Sequence, residues 1–496
     1  MINKLKQLER SHHFWFALGI SFVFFLLRLP SLFEPYWYGD EGIYETLGLA
    51  LDRGRTLYTQ IWDNKPPLLY YTYAVVGGNQ YLVRLLSLAV GIGSVLIFFA
   101  LCQKLFNRKR KPTFIATISF AFLFGLPIIE GNIANAENFM LLPIIIAAYL
   151  IYCFVTEKEH LSVLVVAGLL LGVAFLYKIV GMFDFAAMLV VVAISLLPES
   201  LSLESIKQFI VLEWKTFALF LVGFITPFLL SIIYFTLKGG LGTYIQAIFL
   251  SNVGYVGYKN VFIIPQGLLI SKLILLGLAV IFLLIKRKKL TSPGLFIFSW
   301  ICFSLFNSFF SQRPYTHYLL VLIPSFCLLV GYVFWQKNSQ RFLSIIVTGT
   351  TFLLTVLFFG HWSPAKTFNY YTNFVHFASG QKSLSAYESF FDSRVPSTME
   401  LVRYLNSHGK ENKTLFVWGN SAQIYYLTGT LPPGRFTVAY HISGIKKYEQ
   451  ETAQALKKSP PDFTVIFHDA PPFSFSVGNM RQVLTTTDAT IYERID

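Results

Sequence analysis

Residues 13–45 read HFWFALGISFVFFLLRLPSLF-EPYWYGDEGIYE, an apolar run that ends at Phe33 and is followed at once by a polar, acidic segment. The apolar run is long enough to cross a bilayer. It has no small-residue cleavage site and precedes many similar runs, so it predicts a retained transmembrane helix rather than a signal peptide. The polar segment then opens the loop that carries most of the reactive side chains.

Further apolar runs recur as far as residue 361, and the composition agrees with them. Of the 496 residues, 54% are hydrophobic and 13% are charged, whereas roughly a quarter are charged in soluble proteins. We predict a polytopic α-helical membrane protein with about eleven transmembrane helices. The predicted spans are 13–33, 82–105, 112–129, 138–155, 161–177, 179–198, 214–236, 266–285, 293–311, 315–335 and 341–361. The two runs on either side of Lys178 form either two spans or a single hinged excursion.

The net charge of +14 comes from lysines and arginines clustered in short segments between apolar runs. Cytoplasmic loops of membrane proteins are enriched in these residues, so the charge indicates topology, and we expect no nucleic-acid partner. The clusters are Lys104 with 108–111, then 286–289, then Lys337 with Arg341. We predict that the protein lies in the cytoplasmic (inner) membrane with its N-terminus in the cytoplasm, and this topology places all of these clusters on the cytoplasmic side. It places 34–81, 130–137, 237–265, 312–314 and everything after 361 outside.

The composition changes near residue 362, which divides the chain into a predicted membrane domain, 1–361, and a small extracytoplasmic α/β domain, 362–496. In the second domain, 415–419 and 463–467 are typical of short buried strands. Helices are predicted at 399–405, 420–428 and 446–458, so strands and helices alternate as in layered α/β folds. The four cysteines all lie in apolar runs, and we expect no structural disulfide.

The first external loop, 34–81, contains two polar motifs. The first is WYGDEGIYE, residues 37–45. Ile43 begins an apolar stripe that predicts an amphipathic helix over 41–52, lying at the membrane surface. Asp40 precedes this helix and acts either as its cap or as a reactive carboxylate at the interface. Glu41 and Tyr44 belong to the same motif.

The second motif is WDNKPPLLY, residues 62–70. The two prolines cannot continue a helix and hold the chain extended, so they present Asp63, Asn64 and Lys65 on a rigid turn. A lysine at this level suits capture of an anionic headgroup. The alternative is that Lys65 has no role in a site and only extends its ammonium group to the phosphates of the surrounding lipids. Because Asp40 and Glu41 lie in the same loop, we interpret the turn as functional.

Four more ionisable residues occur near the outer ends of predicted spans, where such residues are costly and usually serve a site or a partner. They are Glu137, Lys178, Arg313 and His317. The fork of an arginine suits phosphate, so Arg313 is predicted to be a phosphate ligand. For Lys178 and His317, a functional role and structural pairing are equally favoured. Arg84 is predicted to be an anchor, either between helices or at the membrane interface.

Together these motifs resemble those of the GT-C glycosyltransferases. The most similar branch contains the bacterial relatives of protein O-mannosyltransferases and the lipid A aminoarabinose transferases. The resemblance rests on GDEGIY (39–44) with WDNKPPLLY (62–70), on RPYTHY (313–318) at the start of a late span, and on an external C-terminal domain. It covers residues 13–335, since the tail varies widely in such proteins.

The resemblance implies an integral-membrane glycosyltransferase that moves a sugar, usually with inversion, from a polyprenyl-phosphate donor to an acceptor hydroxyl on the outer face. It implies that Asp40 is the catalytic residue and that Lys65 lies near the donor phosphate. Aminoarabinose transferases carry Glu where this chain has Asn64, so an acid or metal-ligand role does not carry over to that position. The predicted substrate-binding residues are Glu41, Tyr44, Asp63, Asn64, Lys65, Glu137, Arg313 and His317.

Several identities stay open at this level. The acceptor is a glycan, a lipid or a protein, and a divalent metal at Asp40 stays open as a cofactor. The alternative function is a lipid-linked sugar flippase or transporter. Transporters place charged residues near mid-membrane in repeated halves, whereas here they gather at one face. A third hypothesis is a membrane sensor or scaffold that acts through residues 362–496.

Overall fold

The computed structural model describes residues 12–157, 159–256, 267–311, 313, 315–336, 339–359, 364–408 and 413–495. The α-helices are His12–Arg28, Gly39–Asp52, Pro67–Ala74, Gln80–Leu105, Arg110–Gly125, Ala136–Glu157, Ser162–Tyr177, Met182–Leu196, Leu203–Leu237, Leu241–Ile245, Ser251–Val256, Gly267–Lys286, Ser292–Ser308, Ile323–Trp335, Ser339–Phe359, Pro364–Ala378, Leu384–Glu388, Val395–His408, Gln423–Leu427 and Lys446–Lys458. The strands are β1 (Leu415–Trp418), β2 (Phe463–Phe467), β3 (Met480–Thr485) and β4 (Ala489–Arg494).

Every predicted span coincides with a helix. Within the described residues, eight helical stretches are long and apolar enough to cross a membrane: His12–Phe33, Gln80–Leu105, Ala136–Glu157, Ile179–Leu196, Leu203–Leu237, Leu269–Lys289, Thr316–Trp335 and Gln340–Leu357. Arg110–Gly125, Ser162–Tyr177 and Ser292–Ser308 are shorter, at 16, 16 and 17 residues. The prediction of a polytopic helical membrane protein is confirmed, and the number of crossings stays a prediction.

Basic side chains collect at one end of the helices. There Lys104 pairs with Glu157, which joins the last turns of Gln80–Leu105 and Ala136–Glu157. Arg287 donates to the carbonyl of Pro198 just beyond the end of Met182–Leu196. Both contacts join segments that the topology prediction assigns to the same side. The loops predicted to be external lie at the opposite end.

The chain breaks at Lys178, whose extended φ of −155° and ψ of 130° end the helix Ser162–Tyr177. A second helix begins four residues later at Met182, so the structure has two helices here with Lys178 at their tip. The first of them packs closely on Leu203–Leu237. At the crossing, a Cβ on Gly168 or Gly223 would collide with a backbone oxygen of the partner helix. Small residues at such crossings let membrane helices approach closely.

The helix predicted over 41–52 runs from Gly39 to Asp52, and protein covers its apolar stripe. Residues 41–48 are all buried. On one side the helix meets the C-terminal part of the chain, where Thr46 Oγ1 donates to the carbonyl of Ala422 at 2.8 Å. Gly42 approaches Gln423 so closely that a Cβ would collide with it. The helix is confirmed, and its position at the membrane surface stays a prediction, because an apolar stripe does not reveal whether lipid or protein covers it.

The C-terminal part contains a mixed four-stranded sheet in the order β1-β2-β4-β3. Strands β1 and β2 are parallel, whereas β4 is antiparallel to both β2 and β3. The predicted strands and helices are confirmed, with the helix at 420–428 shortened to Gln423–Leu427. The β3–β4 hairpin was not predicted. Strand β3, MRQVLT, has no buried residue and lacks the strict alternation on which a strand prediction depends.

The two faces of this sheet are buried differently. One face has its own apolar core, which includes Val465. On the other face, Phe416 and Trp418 belong to a core that also contains Leu47 and Trp62 of the first external loop. The C-terminal part therefore shares a core with that loop, and the domain boundary at 362 stays a prediction.

A buried ion-pair network fixes the Gly39–Asp52 helix to the transmembrane part. The guanidinium of Arg84 donates to both oxygens of Glu41, at 3.1 and 2.5 Å. It also lies 3.1 Å from Glu34 and donates to the carbonyl of Ser31 at 2.7 Å. The backbone N–H of Ala134 donates to Glu41 at 2.9 Å. Arg84 is therefore an anchor, as predicted.

We expect Arg84→Met to lower the free energy of unfolding by about 3–5 kcal/mol, because the change leaves two buried carboxylates without their cation. Thermal unfolding of the purified protein in detergent would measure the loss.

The matched control is Arg481→Met. Arg481 also pairs with a carboxylate, Glu493, but its side chain is 66% exposed, so the melting temperature should hardly change. Equal shifts in the two variants would contradict a structural role for the Arg84 network.

Candidate active site

A cavity of about 900 Å³ opens at the end of the helices opposite the basic clusters. Every segment predicted to be external contributes to its wall. Six of the nine predicted site residues line it: Asp40, Asn64, Lys65, Glu137, Arg313 and His317. Other lining residues include Tyr38, Trp62, Lys178, Gln246, Asn252, Asn307, Tyr315, Tyr318, Tyr440, His441 and Tyr448. Glu41, Tyr44 and Asp63 are not in the lining.

Asp40 stands at the rim of this cavity in the first turn of the Gly39–Asp52 helix. It is not the helix cap, since Tyr38 occupies that position. One carboxylate oxygen, Oδ2, accepts hydrogen bonds from Tyr44 Oη at 3.0 Å and from Lys65 Nζ at 3.3 Å. Burial raises the pKa of Asp40, but Lys65, His317 and these hydrogen bonds outweigh it and hold the pKa below its ordinary value of 3.8. The carboxylate is therefore ionised at neutral pH and able to accept a proton.

Lys65 is held by its backbone as well as by its charge. Its N–H donates to Tyr70 Oη at 3.1 Å, and its carbonyl accepts from Tyr58 Oη at 2.8 Å. The ammonium lies 4.9 Å from the centre of the Tyr44 ring and 3.8 Å from Asp63 Oδ2. Tyr44 thus supports both members of the Asp40–Lys65 pair rather than facing the cavity.

Asp63 is buried beneath the turn and shapes it. It accepts from the N–H of Asn64 at 2.8 Å and from Tyr70 Oη at 2.7 Å. The next residue, Asn64, exchanges hydrogen bonds with Asn252, whose Nδ2 donates to the Asn64 carbonyl at 2.9 Å. Asp63 therefore organises the turn, while Asn64 joins the loop to the segment that follows the long helix Leu203–Leu237. Glu41, committed to Arg84, likewise has a structural position.

Three further basic side chains line the cavity. Lys178 forms an ion pair with Glu137 and lies 4.3 Å from the centre of the Tyr318 ring. Arg313 donates to Tyr315 Oη at 3.3 Å. His317 is the third basic group. The cavity therefore holds a second group of charged side chains besides the Asp40–Lys65 pair, and in it Lys178 is paired with Glu137.

His317 is oriented by Glu130, a residue that the motifs did not single out. His317 Nδ1 lies 3.0 Å from Glu130 Oε2, which leaves Nε2 as the ring atom available to a ligand. Glu130 also accepts from Tyr38 Oη and Thr316 Oγ1, both at 2.5 Å. Burial raises the pKa of Glu130, but its bonds with His317, Thr316 and Tyr38 outweigh it and lower the pKa. Glu130 adopts a left-handed φ of 60°, a conformation uncommon outside glycine.

The C-terminal part supplies Tyr440, His441 and Tyr448 to the cavity. His441 Nε2 lies 3.5 Å from Asp63 Oδ1, and its ring meets the Trp62 ring edge-on at 4.9 Å. Burial lowers the pKa of His441 to about 4 despite the nearby Asp63 carboxylate, so the imidazole is neutral at pH 7. No local motif marks this histidine, because it reaches the site only through the folding of the C-terminal part.

The donors around Asp40 do not fit a resident divalent metal. Among the residues that the structure describes, no three or more His, Cys, Asp and Glu side chains converge as a metal site. The Lys65 ammonium already lies beside the Asp40 carboxylate, where a cation would otherwise bind. Lys65 thus supplies the positive charge there.

Sequence comparison reaches part of the chain. The family model described as dolichyl-phosphate-mannose-protein mannosyltransferase matches residues 64–238. This segment begins inside the WDNKPP turn and contains Lys65, Glu130, Glu137 and Lys178. No curated protein sequence matches the chain.

Solved structures match almost the whole chain. The crystal structure of ArnT from Cupriavidus metallidurans bound to undecaprenyl phosphate matches with a TM-score of 0.55 and 12% identity, over 98% of this chain and 99% of that one. The oligosaccharyltransferase AglB from Archaeoglobus fulgidus, in complex with an inhibitory peptide and a dolichol-phosphate, matches with a TM-score of 0.46 and 10% identity, over 92% of this chain and 70% of that one. The ArnT match takes in both the membrane helices and the C-terminal sheet. The chain therefore has the GT-C fold that its loop motifs predicted.

Proposed function

We propose that this protein transfers a sugar from a polyprenyl-phosphate donor to an acceptor hydroxyl, on the outer face of the membrane. The observation that carries the proposal is the Asp40–Lys65 pair in a cavity that is also lined by Lys178, Arg313 and His317. A carboxylate that accepts a proton and cations that hold a phosphate are the two groups that such a transfer needs.

In the proposed reaction the acceptor oxygen attacks the anomeric carbon of the donor sugar. The new C–O bond forms as the bond between that carbon and the phosphate oxygen breaks, and the acceptor proton passes to Asp40. A single displacement of this kind inverts the anomeric centre. The phosphate leaves as an anion and needs no general acid, so one carboxylate is sufficient.

Positive side chains would stabilise the phosphate as its charge develops. Lys65 lies beside the base, and Arg313 offers a fork suited to phosphate oxygens. Lys178 and the Nε2 atom of His317 face the same space. A polyprenyl-phosphate donor is further supported by the family description, which names a dolichyl-phosphate sugar, and by the undecaprenyl phosphate bound to ArnT.

The outer-face assignment rests on charge distribution. The basic clusters and the cavity occupy opposite ends of the helices, and lysine- and arginine-rich loops of membrane proteins stay in the cytoplasm. A site at one end also favours a transferase over the alternative flippase or transporter, because transporters bind their substrates near mid-membrane. The acceptor stays open among glycans, lipids and proteins, as does the choice between a hexose and a pentose.

We expect Asp40→Asn to reduce sugar transfer by about 10²–10⁴-fold, because the amide cannot accept the acceptor proton. Mass spectrometry of glycans, lipids and proteins would measure it in cells that carry either the wild-type or the variant protein as their only copy. The product missing from the variant would also identify the acceptor and the sugar.

The matched control is Glu45→Gln on the same helix. Glu45 is fully buried, and burial raises its pKa well above its usual value, which favours the uncharged carboxyl group that the amide resembles. Transfer should survive this change. Full activity in Asp40→Asn would disprove the assignment, and transport of a lipid-linked sugar without transfer would favour the flippase.

The pH dependence should report on Asp40. Because its pKa lies below 3.8, kcat/KM should not fall on the acid side until the pH drops below about 4. Lys65→Met removes the strongest interaction that lowers this pKa, so the acid limb should move to higher pH. Initial rates between pH 3.5 and 8, with the acceptor identified as above, would measure the shift.

The control for this series is Lys458→Met, which removes an exposed lysine of the C-terminal part. It should leave the profile unchanged. An acid limb that stays in place when Lys65 is replaced would mean that Asp40 is not the titrating base.

A further inference from the structure

The loop between Arg53 and Lys65 contains a strained turn. Tyr58 adopts a left-handed φ of 67°, which is a true outlier for a bulky residue. Its side chain is completely buried and packs on the rings of Phe235 and Tyr244. Such a conformation persists only where the surroundings hold it, and it tends to occur where a function needs it.

Arg435 of the C-terminal part holds this turn from both sides. Its NH1 group donates to the carbonyl of Tyr58 at 3.0 Å, and its own carbonyl accepts from the N–H of Trp62 at 2.9 Å. The guanidinium is fixed in turn by two hydrogen bonds to Glu451, at 2.6 and 2.9 Å. It also lies 4.8 Å from the centre of the Phe436 ring. Arg435 is thus a rigid clamp on the backbone of the loop.

The strained residue is itself bonded to the proposed active site. Tyr58 Oη donates to the carbonyl of Lys65 at 2.8 Å, and the Lys65 N–H is held by Tyr70. Pro66 follows and restricts the backbone of Lys65 further. A continuous chain of contacts therefore runs from Glu451 through Arg435 and Tyr58 to Lys65, whose ammonium lies 3.3 Å from Asp40.

We propose that Arg435 is a positioning residue for the transfer reaction: by holding the Tyr58 turn, it sets the Lys65 ammonium against the Asp40 carboxylate. The C-terminal part is then a component of the active site, and not only a cover or an acceptor-binding module. The inference rests on the proposed function, because it assigns Lys65 and Asp40 the roles given above.

Arg53 is a matched control for Arg435, because it joins the loop to the C-terminal part without contacting the Tyr58 turn. Arg53 NH1 donates to the carbonyl of Gly429 at 2.7 Å, across the same interface between the loop and the C-terminal part. Within the part of the chain that the structure describes, however, Arg53 bonds to neither Tyr58 nor Lys65. Loss of Arg53 should weaken the interface without moving the ammonium, whereas loss of Arg435 should do both.

The titration of Asp40 reports on the position of Lys65, since that ammonium is the main influence that lowers its pKa. Other charged or titratable groups also act electrostatically on Asp40 or experience its charge: His317, Tyr38, Tyr44, Tyr73 and His441. None of these bonds to Arg435 or to the Tyr58 hydroxyl among the described contacts. A shift of the acid limb on mutation of Arg435 or Tyr58 therefore points to Lys65.

The experiment compares Arg435→Met, Tyr58→Phe and Arg53→Met in the full-length protein, using the transfer assay and the pH series. Tyr58→Phe keeps the ring and removes only the bond to Lys65. For Arg435→Met and Tyr58→Phe we expect kcat/KM to fall by about 10- to 100-fold and the acid limb to move up by about one pH unit. Arg53→Met should lower the melting temperature but leave the acid limb in place.

The inference is overturned if wild-type transfer depends on Asp40 while a folded Arg435→Met variant leaves the acid limb in place. It is also overturned if Tyr58→Phe leaves the limb in place, or if Arg53→Met moves the limb as far as Arg435→Met does. Should Arg435→Met fail to fold, Arg435→Lys replaces it, because a lysine keeps the charge but lacks the planar fork that bonds Glu451 and the Tyr58 carbonyl together. Full transfer by Asp40→Asn, or no transfer by the wild type, would instead disprove the proposed function, so the two failures are distinguishable.

Discussion

The buried pairing of Arg84 with Glu34 and Glu41 is the interaction on which the site depends. A helix that lies between membrane helices and a covering domain has no single partner to fix its position. Arg84 fixes it by binding the residue directly after Asp40, and a buried pair of this kind cannot lose one member cheaply. Asp40 is therefore placed at the rim of the cavity by a contact that takes no part in the chemistry. Asp40 and Glu41 are thus adjacent carboxylates of one motif, but Glu41 holds the helix in place while Asp40 lines the cavity.

Much of this arrangement could be predicted from the sequence. The length and spacing of the apolar runs located the long apolar helices of the described residues, and the positions of the lysines and arginines sorted the loops into two groups. Those groups then predicted which loops would meet, and Asp40, Lys65, Glu137, Arg313 and His317 do line one cavity. This worked because topology alone limits which residues can share a face of a membrane protein.

The remainder depended on long-range packing, which local patterns do not report. Glu130 orients His317 from a different loop, and its left-handed backbone leaves no signature in a Glu-Gly-Asn sequence. His441 becomes a neutral, buried side chain only when the C-terminal part covers Asp63. The apolar stripe of the Gly39–Asp52 helix was correctly located, but the pattern did not show what covers it, since protein and lipid are equally apolar to such a stripe. Tyr44 and Asp63 belong to the two predicted motifs, yet they do not line the cavity and instead hydrogen-bond to residues of the site from behind its wall.

The two short helices that meet at Lys178 have a consequence for the surrounding lipid. Ser162–Tyr177 has 16 residues, which span about 24 Å, whereas the hydrocarbon core of a bilayer is about 30 Å thick. Where such a helix crosses, the membrane adapts by thinning locally. The headgroup layer would then dip toward the tip of this hairpin, and the phosphates of the surrounding lipids would lie closer to the depth of Lys178.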